Sequence, residues 1–265
     1  MLQDLLNARG VLLLLIQREF RARYAGSNLG IFWNIAHPII VILTYLLVFA
    51  KLMGSRMPDG AGGPFAFTVH LTAGIIPWFF FSEIVSRSCN VLVENAGMLK
   101  KMAIPEEILF FSVFATAFTV HGISLLALIL LLLVLGVPLD PLVVLAFPVM
   151  VALGIVGIGL GMVLAVLNLL IRDVAQFVTV ALNLGFWSLP IVYVPSILPD
   201  KIESLMRLNP LYGFFTVIQM VFGSPAVREG FQFDFYYLLP TLPFAAFVIG
   251  RSFLKRHRPE ILDAL

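Results

Sequence analysis

Arginines crowd one short stretch of the chain, where Arg18, Arg21 and Arg23 fall within "REFRAR" beside Glu19. A guanidinium presents a planar fork of donors that meets phosphate oxygens two at a time, so this cluster binds anions rather than catalysing a reaction. It can hold anionic lipid headgroups, at about 1 kcal/mol per basic residue. Other titratable groups are sparse. Glu83 and Arg87 stand four apart, a spacing at which they neutralise each other on one helix. Asp173 follows Arg172 without a second carboxylate nearby, so an intramembrane transferase would lack its acidic metal ligands. His121 is the one titratable group in its apolar run; a hydrogen bond to a neighbouring helix outweighs a proton relay there. Gly154, Gly157, Gly159 and Gly161 also lie in an apolar run, which suits close helix packing better than a phosphate cradle. The sequence holds no Walker-type phosphate loop and no cysteine–histidine cluster, and its single cysteine, Cys89, cannot form an intramolecular disulfide.

The elements that carry these residues follow from composition. Of 265 residues 60% are hydrophobic and 12% charged, and mean hydropathy is +1.02, values of an integral membrane protein. The expected fold is all-α, with six transmembrane helices at Ile31–Ala50, Phe65–Val93, Leu109–Val137, Leu142–Ile171, Val174–Val194 and Phe235–Leu254. Before them, Leu2, Leu5, Leu6, Leu13, Ile16, Phe20 and Tyr24 recur at helical spacing, predicting an amphipathic interface helix within residues 1–30. Its short apolar core, "VLLLLI", runs directly into "QREFRAR" without a cleavage site, so no signal peptide is expected. Twelve of the 17 basic residues then fall on one side, which by the positive-inside rule is the cytoplasm and holds both termini. Residues 255–265 form a cytosolic tail.

Residues 195–234 cannot cross, because their longest apolar stretch, Leu211–Phe222, is only 12 residues. They are expected to form two short helices broken near Asn209-Pro210, re-entrant from the outer side, with an amphipathic surface loop as the other reading. On the inner side, residues 93–107 offer Glu94, Lys100, Lys101, Glu106 and Glu107 around a break at Pro105, both charge signs for a soluble partner. Aromatic residues bunch at Phe32-Trp33, Trp78-Phe79-Phe80-Phe81, Phe186-Trp187 and Tyr193. Such rings can line a pathway, stacking on what passes without fixing a register, or pack as a belt and core; four consecutive residues cannot all face one pore.

"REFRARYAGSNLGIFWNIAHPI" resembles the first-span signature of ABC transporter permeases that export polysaccharides, and "AGIIPWFFFSEIVSRSCNVLVENAGMLKK", "GLGMVLAVLNLLIRDV", "FWSLPIVYVPSILP" and "LNPLYGFF" resemble the same class in order. The likeness is greatest to O-antigen permeases, with capsule, teichoic acid and other lipid-linked cargoes as alternatives. The resemblance implies a homodimer of permeases in the bacterial inner membrane, paired with two cytoplasmic ATPase subunits that bind ATP and Mg, this chain binding no cofactor. It implies that residues 93–107 form the coupling helix and that Asn209, Pro210 and Tyr212 belong to periplasmic gate helices. For a polysaccharide on undecaprenyl diphosphate, Arg18, Arg21 and Arg23 would meet the diphosphate. No nucleic acid is implied.

Overall fold

The computed structural model describes residues 9–23, 32–45, 47–48, 65–101, 104–194, 198–223 and 238–264, and what it describes is helix, turn and loop. Among the described residues three helices are long and apolar enough to cross a bilayer: α3 (Ala66–Glu94), α5 (Glu107–Val134), and α6 (Ala146–Leu170) with the 3-10 turn Pro141–Leu145 before it. Around them stand α1 (Arg9–Arg23), α2 (Trp33–Tyr45), α4 (Ala96–Leu99), α7 (Val174–Trp187), α8 (Asp200–Arg207), α9 (Tyr212–Val221), α10 (Leu238–Arg256) and α11 (Arg258–Ala264). At 1.5 Å per residue the 29 residues of α3 span about 43 Å, so the helix tilts or projects beyond a 30 Å hydrocarbon core.

The ends of the long helices have local causes. After α5, Val137 N–H bonds Leu132 C=O at 3.0 Å and Gly136 N–H bonds Leu133 C=O at 3.1 Å. This is a Schellman closure, and Gly136 takes the required left-handed φ of 70° at no steric cost. The Asp140 carboxylate then accepts from Leu142 N–H at 2.9 Å and Pro141 sits where no donor is needed, which opens the turn into α6.

Helix α6 is the hub, packed against α3 on one side and α10 on the other. Its glycines make this possible. A methyl on Gly157 would meet Ile84, one on Gly161 would collide with Ser88, and one on Gly159 would strike the α10 backbone at Ala246. Gly250 of α10 faces Gly159 in return, so α6 and α10 touch backbone to backbone, the small-residue packing their sequence foretold.

Three expectations are revised. Helix α1 buries Leu15, with Val11, Leu12, Ile16, Glu19 and Phe20 partly covered, while Leu13 is exposed; its inner face is rotated from the one its apolar spacing suggested. Leu2, Leu5, Leu6 and Tyr24 lie outside the described residues, as does part of the predicted Ile31–Ala50 span. The predicted helix Val174–Val194 ends at Trp187, and residues 188–194 pass through Pro190 without helix. In the predicted last span, α10 reaches Arg256 and counts Arg251, Lys255 and Arg256 among its residues.

Candidate functional site

Two polar constellations occupy opposite ends of α3. Towards Glu94, charges from α1 and a histidine of α5 converge on it. The Arg23 guanidinium bonds the Glu83 carboxylate, Arg87 bonds Glu19, and Arg87 Nη1 also reaches Glu83 Oε1 at 3.3 Å. His121 Nδ1 lies 3.7 Å from Glu83 Oε2 of α3 and 3.1 Å from Ala117 C=O of its own helix. The neutralising pair that spacing predicted exists, enlarged by two residues of α1 that no local pattern could supply. About two turns beyond Arg87, Arg18 Nη2 donates to Asn95 Oδ1 at 2.6 Å, fastening α1 to the turn between α3 and α4.

Of the predicted anion-binding arginines, Arg23 is thus spent within the chain. Arg18 bonds Asn95 while half of its side chain stays exposed, and Arg21 is exposed. Glu94, Lys100 and Lys101 are exposed around α4, as a docking surface needs. Glu106 and Glu107 are not: both are buried, Glu106 held by Arg258 at 2.9 Å and Glu107 by Arg251 at 3.2 Å. Their charges are answered inside the molecule rather than offered to a partner.

At the other end of α3 the groups are neutral. Gln219 of α9 is fully buried, and its Nε2 donates to Pro190 C=O at 2.8 Å and His70 C=O at 3.3 Å. His70 Nε2 meets Tyr193 C=O at 3.3 Å. A methyl on Gly74 would come within 2.8 Å of Gln219 Nε2, so glycine is what lets α9 seat. Asn209 Nδ2 donates to Ser188 Oγ at 2.9 Å while its Oδ1 accepts from Leu211 N–H at 3.0 Å, joining the break between α8 and α9 to the end of α7. The Tyr193 hydroxyl bonds Trp187 C=O, and burial holds its pKa above the ordinary tyrosine value, so it remains a donor. Pro210 is exposed and Tyr212 half-buried. Helix α9, too short to cross a bilayer, is buried against α3 and α6, the setting in which membrane-depth chain breaks are tolerated.

The aromatic run divides as helical geometry requires. Trp78 and Phe81 point towards α7 and α9, with Trp78 against Phe186 and Phe215 at about 6 Å; Phe80 turns to Phe114, Phe118 and His121 of α5; Phe79 is exposed. Trp78, Phe81, Leu164, Phe177, Leu182 and Asn209 border a mostly apolar cavity of about 270 Å³. Phe32, Trp33 and Trp187 are exposed, Phe186 and Tyr193 half-buried. Only Val178 of the 14 residues of α7 is buried.

Sequence reasoning missed Asn168. Its Nδ2 donates to Cys89 C=O and Asn90 Oδ1, both at 3.1 Å, and its Oδ1 accepts from Ala175 N–H at 3.2 Å, so one amide joins α6, α3 and the start of α7. An asparagine inside an otherwise apolar run was the available signal.

Long apolar helices around a glycine-packed hub, with a non-crossing helix buried at one end, define a multi-pass helical membrane protein. Residues 11–222 match the family described as ABC-2 type transporter, and the chain belongs to that family. It is a transport permease, with ATP hydrolysis on a separate subunit. It is 32% identical over 228 residues, 84% of each chain, to the "O-antigen export system permease protein RfbA" of Myxococcus xanthus. A protein of the same name from Klebsiella pneumoniae is 27% identical over 207 residues, 76% of this chain and 75% of that one. The "Polysialic acid transport protein KpsM" of Escherichia coli is 37% identical over 84 residues, 32% of this chain and 31% of that one.

Proposed function

We propose that this chain is the membrane subunit of an ATP-driven exporter that carries an O-antigen-type polysaccharide, linked to undecaprenyl diphosphate, from cytoplasm to periplasm across a bacterial inner membrane. The observation that carries this reading is the likeness to the Myxococcus permease along 84% of both chains. Capsular polymer is the second reading, favoured by a higher identity to the polysialic acid transporter over a much shorter stretch.

In this reading six helices cross, α2, α7 and α10 joining the three long ones, with both termini in the cytoplasm. The side holding 12 of 17 basic residues supports that orientation. The charged end of α3 is then cytosolic. Glu94, Lys100 and Lys101 face the ATPase subunits, two copies of which bind ATP and Mg. The α8–α9 pair, with Asn209, Pro210 and Tyr212, is the periplasmic gate. A second copy of the chain completes the pathway, since one set of six helices with a single non-crossing pair lines only half of it, and the exposed apolar face of α7 at Phe177, Leu184 and Trp187 is open to lipid or to that copy. Arg21 and the exposed part of Arg18 receive the diphosphate, while Arg23 holds α1 in place. Phe32, Trp33 and Trp187 offer faces on which sugar rings stack.

The test is complementation. Cells deprived of this permease lose surface polymer and accumulate it on the cytoplasmic face of the inner membrane, and plasmid-borne permease restores export while co-purifying a nucleotide-hydrolysing subunit and a second permease copy. Normal surface polymer in deprived cells overturns the reading.

A further inference from the structure

Glu106 and Glu107 carry the charges that most plainly fail to face outward, at 9% and 7% exposure. Each is met by an arginine far along the chain, Arg258 Nε donating to Glu106 Oε1 at 2.9 Å and Arg251 Nε to Glu107 Oε1 at 3.2 Å. The two arginines belong to α10 and α11, which meet at His257. Below the pairs, Ile261 of α11 and Leu254 of α10 share one apolar cluster with Ile104 and Ile108. On the opposite flank Arg18 bonds Asn95. The segment from Asn95 to Glu107 is therefore tied at both ends, to α1 and to the α10–α11 joint, while Lys100 and Lys101 between the ties are exposed.

We infer that Glu106, Glu107, Arg251 and Arg258 form a clasp that carries movement of the coupling segment into α10 and α11, acting as positioning residues rather than as contacts for the ATPase. The inference rests on the reading of residues 93–107 as the coupling segment. Consecutive residues at the start of α5 project in different directions, so two pairs fix rotation as well as position, where one pair would leave a hinge. Removing carboxylates from water is costly unless they stay paired, so the coupling segment moves α10 with it or leaves two nearly buried carboxylates unpaired. From α10 the path onward is stiff, because Gly250 and Gly159 bring its backbone against that of α6. Beyond the clasp, an ATPase-driven shift thereby reaches the hub helix through backbone contact.

The experiment uses the full exporter in cells and, purified with its ATPase subunit, in lipid nanodiscs. Glu106→Gln combined with Glu107→Gln keeps shape and removes charge. The ATPase subunit should co-purify at wild-type stoichiometry and its hydrolysis stay within twofold, while export per ATP hydrolysed falls at least fivefold. Glu106→Arg alone should be as defective, and adding Arg258→Glu should restore at least half of the lost export. Wild-type export per ATP in the glutamine pair overturns the clasp. Should the exchange variant fail to accumulate, Glu106→Cys with Arg258→Cys in a Cys89→Ser background is joined by a short bifunctional thiol reagent. A clasp that travels as one body keeps export within twofold after joining, whereas export lost on joining with the ATPase still bound means that it opens in the cycle, which overturns the inference. Lys100→Glu with Lys101→Glu separates the two ideas. If that pair leaves ATPase association and export intact, the docking reading fails; if it abolishes association while the clasp variants are silent, the clasp alone fails.

Discussion

Towards Glu94, α3 meets its neighbours through full charges from α1; towards Ala66 it meets them through amides and carbonyls of α9 and of the chain after α7. Charge pairs are strong when dry and weaken where water and salt reach them. Amide bonds are individually modest, indifferent to salt, and costly mainly when a buried partner is left unpaired. The charged end thus carries interactions that a change of surroundings can tune, and the neutral end carries interactions that it cannot. The same contrast says which end yields to which perturbation.

The sharpest break in that contrast is Glu83→Ala. It strands Arg23, less than a third exposed, and leaves Arg87 to Glu19 alone; it should cost about 3 kcal/mol, read as a lower thermal midpoint in detergent and a lower permease abundance. Arg23→Ala made with it should restore part of the loss, since one stranded charge is then gone. Gln219→Ala comes next at about 2 kcal/mol, because two carbonyls lose their donor. Its cost should be the same at low and high salt, whereas the cost of Glu83→Ala should shrink as salt rises. Equal salt dependence for the two would erase the distinction. Trp33 belongs to neither network: Trp33→Ala should leave stability unchanged and remove about 1 kcal/mol of sugar stacking, lowering surface polymer at normal abundance, and Trp33→Phe should retain most of it. Full export by the alanine variant would leave Trp33 an interfacial anchor. An effect on folding under about 0.5 kcal/mol is likewise expected of Lys100→Glu with Lys101→Glu, which should weaken ATPase pull-down while insertion and midpoint stay put.

The long helices were legible in the sequence because apolar length is a local property. Residues 65–93, 109–137 and 142–171 were expected to be helical, and α3, α5 and α6 fall on them within a few residues. The glycines of α6 were legible for the same reason: a small residue in an apolar run has few other uses. The charged residues were not. Glu83 was matched with Arg87 four positions away, but Arg23 lies 60 positions off, and Glu106 and Glu107 find their arginines 152 and 144 positions on. Which of several exposed-looking carboxylates is folded inward is a tertiary fact without a periodic trace. Helix α1 shows the same limit, since its ion pairs through Glu19 and Arg23 go with an inner face that the leucine spacing did not give.

The joint at Asn168 bears on how the sequence can change over time. Aspartate there offers no donor to Cys89 or Asn90, serine is too short to reach two helices, and glutamine sets the amide one methylene too far out for a site that is 4% exposed. Next door, Leu170 is 52% exposed and answers to no such geometry. In a library carrying every substitution, position 168 should keep asparagine and little else, while position 170 accepts almost any apolar residue.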